Sequence, residues 1–69
     1  MTPELLTEIG EALYGNQWQT DLARDLDVAV RTVQRWLSGE RAIPSGLSDD
    51  LRPLLAARGK TIEALIHRL

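Results

Sequence analysis

The stretch from Gln19 to Gly39, QTDLARDLDVAVRTVQRWLSG, does most to restrict how this chain can fold. Leu22, Ala23 and Leu26 recur at helical spacing, Val33 and Trp36 do so again further on, and Asp27 breaks the run between them. Two short helices are thus joined by a turn of about three residues, with Leu22, Leu26, Val28, Val33 and Trp36 supplying their shared apolar contact. Tight crossing of two helices needs a small side chain, and Ala23 supplies it.

The flanking sequence is helical as well. Thr2 and Pro3 form a start signal, a hydroxyl cap followed by a proline at the first helical position. Leu5, Leu6, Ile9, Ala12 and Leu13 make one apolar stripe, and Gly15 supplies a stop, which predicts a first helix over residues 3–14. The second helix is expected over 17–26 and the third over 29–38, ending at Gly39. The segment ERAIPSG reads as a loop. Leu47, Leu51, Leu54 and Leu55 predict a fourth helix over 45–58, kinked near Pro53. After Gly59, a fifth carries Ile62, Leu65, Ile66 and Leu69. The expectation is an all-α bundle of about five short helices forming one domain over 1–69.

The chain has 69 residues, no cysteine and a net charge of −2. No disulfide, metal or cofactor is implied. The early glutamates and the lack of a long apolar run argue against a signal peptide, so a soluble cytoplasmic protein is the default. The charge is unevenly spread. Residues 1–27 hold six acids and one base, whereas 28–41 hold Arg31, Arg35 and Arg41 against Glu40 alone. Such asymmetry bears on binding more than the total does. Catalysis is not expected, because no nucleophile–base pair, phosphate loop or metal spacing is present. Asp49 and Asp50 are adjacent, point about 100° apart on a helix, and suit its N-terminal turn. His67, the one histidine, reads as a surface residue.

On the third helix Arg31, Gln34, Arg35 and Ser38 cluster on one side, and Val33 and Trp36 project from the other. Guanidinium groups suit bidentate pairing with guanine or phosphate, and glutamine suits adenine. Residues 17–39 thus resemble the helix-turn-helix of the lambda-repressor-like family of Cro- and repressor-type regulators, through Gln19, Leu22, Ala23, Leu26, Val28, Val33 and Trp36, with SGE closing the unit. More loosely, the short chain resembles small prophage regulators, including those encoded beside anti-CRISPR genes that repress their own operons. It departs from the family at Asp27, where glycine is favoured, and at Ala29, where a hydroxyl cap is usual.

The resemblance implies that Val30, Arg31 and Arg35 face base edges, while Thr32, Gln34 and Gln19 lie nearer the backbone. The wheel leaves Gln34 open between base and phosphate. Asn16 and Gln17, at the start of the second helix, suit a phosphate through backbone N–H groups; Ser38 and Arg41 complete the expected backbone contacts. Trp36 is expected in the core, Trp18 in the core or a dimer contact rather than on nucleic acid, and Tyr14 near it with a wet hydroxyl. The implied function is a sequence-specific, double-stranded-DNA-binding repressor acting as a homodimer on an inverted repeat. Leu54, Ile62, Leu65, Ile66 and Leu69 are the expected dimerisation residues. Plain solvated arginines are the bland reading of the same pattern. A protein-interaction or antitoxin-like adaptor with this fold is the alternative, motivated by the acidic first 27 residues.

Overall fold

A computed structural model describes residues 1–69. It contains four helices and no strand: α1 (Pro3–Tyr14), α2 (Trp18–Leu26), α3 (Val30–Ser38) and α4 (Leu47–Arg68). The first follows its start signal. Thr2 Oγ1 accepts from the Leu5 amide at 3.1 Å, Pro3 occupies the first turn, and Gly15 ends the helix at φ 83°.

The core is built where α1, α2 and α3 pack together and the start of α4 closes over them. It comprises Leu6, Trp18, Leu22, Ala23, Val33, Trp36, Leu47 and Leu51, all buried. Burying each large side chain stabilises the fold by roughly 1.5–3 kcal/mol, so this small set carries most of the cohesion. Trp18 and Trp36 are 3% and 4% exposed, which places both indoles in the core. Trp18 enters through a slot that only glycine can leave open. Gly10 is buried mid-helix in α1, and a Cβ built there falls 2.1 Å from Trp18 Cε3.

The expected break at Gly59 does not form, and the fourth and fifth helices are one. Gly59 keeps helical backbone within α4, with open space around it. A helical glycine costs about 1 kcal/mol relative to alanine. Its neighbours Ala56, Ala57, Arg58 and Lys60 are good helix formers and outweigh that cost. Pro53 lies inside the helix and likewise does not end it. The helix starts at Leu47, two residues later than expected, with Asp49 and Asp50 in its first turn.

Beyond Leu54 every residue of α4 is exposed, so its distal half projects from the body as an arm. The molecule measures 44 × 22 × 21 Å with a radius of gyration of 12.9 Å. A compact chain of this length would have about 11 Å. Where the arm leaves the body, an Arg58 guanidinium N–H donates to the Leu13 carbonyl in the last turn of α1. That satisfies a helix-end acceptor and sets positive charge where the helix dipole favours it. No helix is long and apolar enough to cross a membrane.

Candidate nucleic-acid interface

The connection between α2 and α3 fixes how the second is presented. The Val28 amide donates to Ala23 O at 2.9 Å and the Asp27 amide to Arg24 O at 3.1 Å. These are the paired bonds of a Schellman turn, with Asp27 left-handed at φ 57°, ψ 45°. Aspartate tolerates that geometry better than most residues, so the departure from glycine leaves the turn intact. Ala29 precedes α3 in extended conformation, and no side chain caps the first turn.

α3 is held from beneath by Val33 and Trp36, with Val30 and Leu37 half-buried against the same core. Arg31, Gln34 and Ser38 lie exposed on the opposite side. Val30, expected at a base edge, is therefore partly committed to packing. Thr32 is half-buried at the margin of the exposed face. Arg31 and Arg41 take part in no ion pair.

Arg35 is different. Its side chain is 34% exposed, and Nε lies 3.7 Å from Glu40 Oε2. The loop after α3 folds back to make this contact. Ser38 Oγ donates to Arg35 O at 3.2 Å and accepts from the Glu40 amide at 3.3 Å, while the Arg41 amide donates to Arg35 O at 3.1 Å. Ser38 thus serves the turn itself. An exposed ion pair of this length is worth under about 1 kcal/mol, so Glu40 biases the guanidinium without locking it. The sequence put Glu40 five residues after Arg35, a spacing that no helical rule pairs, and only the folded loop reveals the contact.

A second polar rim lies at the start of α2. Asn16, Gln17, Gln19 and Thr20 line a shallow hollow with no apolar member. Gln17 stands at the N-cap without a side-chain hydrogen bond to the helix, which leaves the first-turn amides of α2 uncapped by side chains. Such amides suit an anionic oxygen. The remaining charges of α2 engage one another: Arg24 pairs with Asp21 at 3.2 Å and with Asp25 at 3.6 Å.

The Tyr14 hydroxyl lies at an exposed position, as expected, and has a protein partner as well. It donates to Asp25 Oδ2 at 2.6 Å, bridging α1 to α2. Partial burial and the carboxylate acceptor push its pKa up to about 12, with further help from the negative charge of Asp25. His67 sits on the arm, with Nε2 3.1 Å from Glu63 Oε1. Of the expected dimerisation residues, Leu54 is half-buried against the core, whereas Ile62, Leu65, Ile66 and Leu69 are open to solvent. No cluster of three or more His, Cys, Asp or Glu residues is placed to hold a metal ion. Comparison with protein-family models, with curated proteins and with solved structures returned no match.

Proposed function

We propose that the chain is a sequence-specific double-stranded-DNA-binding regulator of transcription, in which α2 and α3 form a helix-turn-helix and α3 enters the major groove. One observation carries the reading: α3 is anchored by Val33 and Trp36 while Arg31, Gln34 and Arg35 line its other side, with Arg31 unpaired. A short helix clamped on one face and cationic on the other is built to be read from outside the protein. Arg31 and Arg35 address guanine edges, Gln34 an adenine or a phosphate, and the methyl groups of Val30 a thymine methyl. The polar rim around Asn16, Gln17 and Gln19, together with Thr32 and Arg41, meets the sugar–phosphate backbone, and Ser38, whose one proton is given to Arg35 O, shapes the turn beside it.

One such helix contacts few base pairs. The protein therefore works as a homodimer on an inverted repeat, with recognition helices about 34 Å apart, and represses by occluding a promoter. Phosphate contacts supply much of the affinity, which falls steeply with salt. Selection of bound duplexes from a random DNA pool tests this directly. The expected result is a two-fold-symmetric site with half-sites one helical turn apart. Failure to enrich any sequence, with no mobility shift at moderate salt, overturns the reading.

A further inference from the structure

The arm leaves an apolar stripe without cover. Leu55, Ile62, Leu65, Ile66 and Leu69 range from 36% to 107% exposed. At 100° per residue they continue the face through which Leu47 and Leu51 enter the core. From Arg52 to Leu69 the chain carries four bases (Arg52, Arg58, Lys60, Arg68) and one acid (Glu63). The arm is thus both apolar and cationic, with Arg68 and, at its root, Arg52 flanking the stripe; Arg52 also lies 3.8 Å from Asp49, an exposed contact too weak to hold it.

α1 presents the complement. Glu4, Glu8 and Glu11 are its three acids, it has no base, and none of the three takes part in an ion pair. They fall on one side of the helix. Beside them run Leu5, 45% exposed, Ile9, half-buried, and Ala12, exposed. The arm cannot reach this face in its own chain, because α4 passes the C-terminal end of α1 at the Arg58–Leu13 contact and runs on beyond it.

We infer that the distal half of α4 docks on the outer face of α1 in a second copy of this chain, reciprocally about a two-fold axis. Leu55, Ile62, Leu65 and Ile66 cover Leu5, Ile9 and Ala12, and Arg52 and Arg68 meet the glutamates. Two considerations favour this over pairing arm with arm. Arm-to-arm contact sets one cationic helix against another, and like charges across an interface are unfavourable. It also buries a single helix–helix contact, whereas two reciprocal arm–α1 contacts bury two, nearer what a stable dimer needs. The arrangement accounts for the acidic first helix of a protein meant for DNA, because its carboxylates are neutralised by the partner.

The inference rests on the DNA-binding reading only for the use of the dimer, so association is measured without DNA and the two fail separately. Sedimentation equilibrium of the full chain is expected to show a dimer that weakens as salt rises. Leu65→Glu sediments as a monomer with unchanged helicity. Reversal of α1 (Glu4→Lys, Glu8→Lys, Glu11→Lys) and reversal of the arm (Arg52→Glu, Arg68→Glu) each raise the dissociation constant about tenfold or more. Mixing the two reversed chains restores association, because both contacts are again complementary. Should the α1 reversal unfold, Leu5→Asp probes the same face with the same expected loss. A wild-type monomer overturns the inference. So does Leu65→Glu dissociating the dimer while the α1 variants leave it intact, which is the signature of arm-to-arm pairing.

Discussion

Replacing Gly10 by alanine tests the packing logic where it is tightest. The added Cβ falls 2.1 Å from Trp18 Cε3 and 2.2 Å from Cδ2. Carbon atoms prefer about 3.5–4.0 Å, so the indole must retreat by more than an ångström. It has nowhere to go: Trp18 is 3% exposed and shares the core with Leu6 and Leu22. Overpacking of this kind costs about 1–3 kcal/mol, and outright expulsion of the ring about 3–5 kcal/mol. Alanine's better helix propensity returns about 1 kcal/mol. A clash this deep in a closed core falls in the expulsion range, so the net expectation is a loss of about 2–4 kcal/mol, large against the few kcal/mol a domain this small commands. Urea unfolding at fixed protein concentration, followed by tryptophan fluorescence, reads it. Two controls separate the clash from a general dislike of substitution. Gly59→Ala, with nothing within 4 Å of the new atom, should stabilise by about 0.5–1 kcal/mol. In a Trp18→Leu background, Gly10→Ala should cost far less or turn favourable, a coupling only direct contact produces. A Gly10→Ala protein as stable as wild type would refute the reasoning.

Three further expectations follow from the interface and its surroundings. Arg31→Ala should weaken binding to the selected DNA site by about 1–3 kcal/mol and relax preference at one base pair, measured by titration against a panel of single substitutions; equal loss on every sequence would assign Arg31 to phosphate instead. Glu40→Gln removes the carboxylate 3.7 Å from Arg35 Nε, and DNA affinity should rise about two- to fivefold; unchanged or weaker binding would mean that Glu40 does not compete with DNA for that guanidinium. Tyr14 is the single tyrosine, so its alkaline titration is directly visible by ultraviolet absorbance. The phenol's pKa of about 12 in the fold lies above the unfolded value of about 10, so its contribution to stability is complete below pH 10 and is lost as pH rises toward 12. Asp25→Asn should lower the midpoint, and an unmoved midpoint would remove Asp25 as a cause.

The ends of the first three helices were legible in the residues themselves. Thr2-Pro3, Gly15, Asp27 and Gly39 are stop and start signals whose chemistry is local, and Trp36 could be assigned inward from periodicity, whereas Trp18 stayed open between core and dimer contact. Gly59 misled because helix propensity is a weak prior: the residue can end a helix, but strong formers on both sides carried the backbone through it. Gly10 carried no warning either. Its reason for being glycine is a ring eight residues away, brought against it by the turn at Gly15. The same holds for Tyr14 with Asp25, Arg58 with Leu13 and Arg35 with Glu40, which are pairs made by folding at separations no periodic rule links. On α3, period alone separated the packed from the open residues. It could not show that one of the two outward guanidinium groups leans on a neighbouring carboxylate.

An uninterrupted α4 makes the tip of the molecule and the floor of its interior parts of a single rod. From Leu51 to Arg68 it runs about 26 Å without a loop, and Pro53, inside it, is the point at which it can bend. Leu47 and Leu51 at its root belong to the same packed cluster as Trp36, the anchor of α3. The exposed stripe at Leu65 is therefore joined to the seat of the indole through helix rather than through a loop.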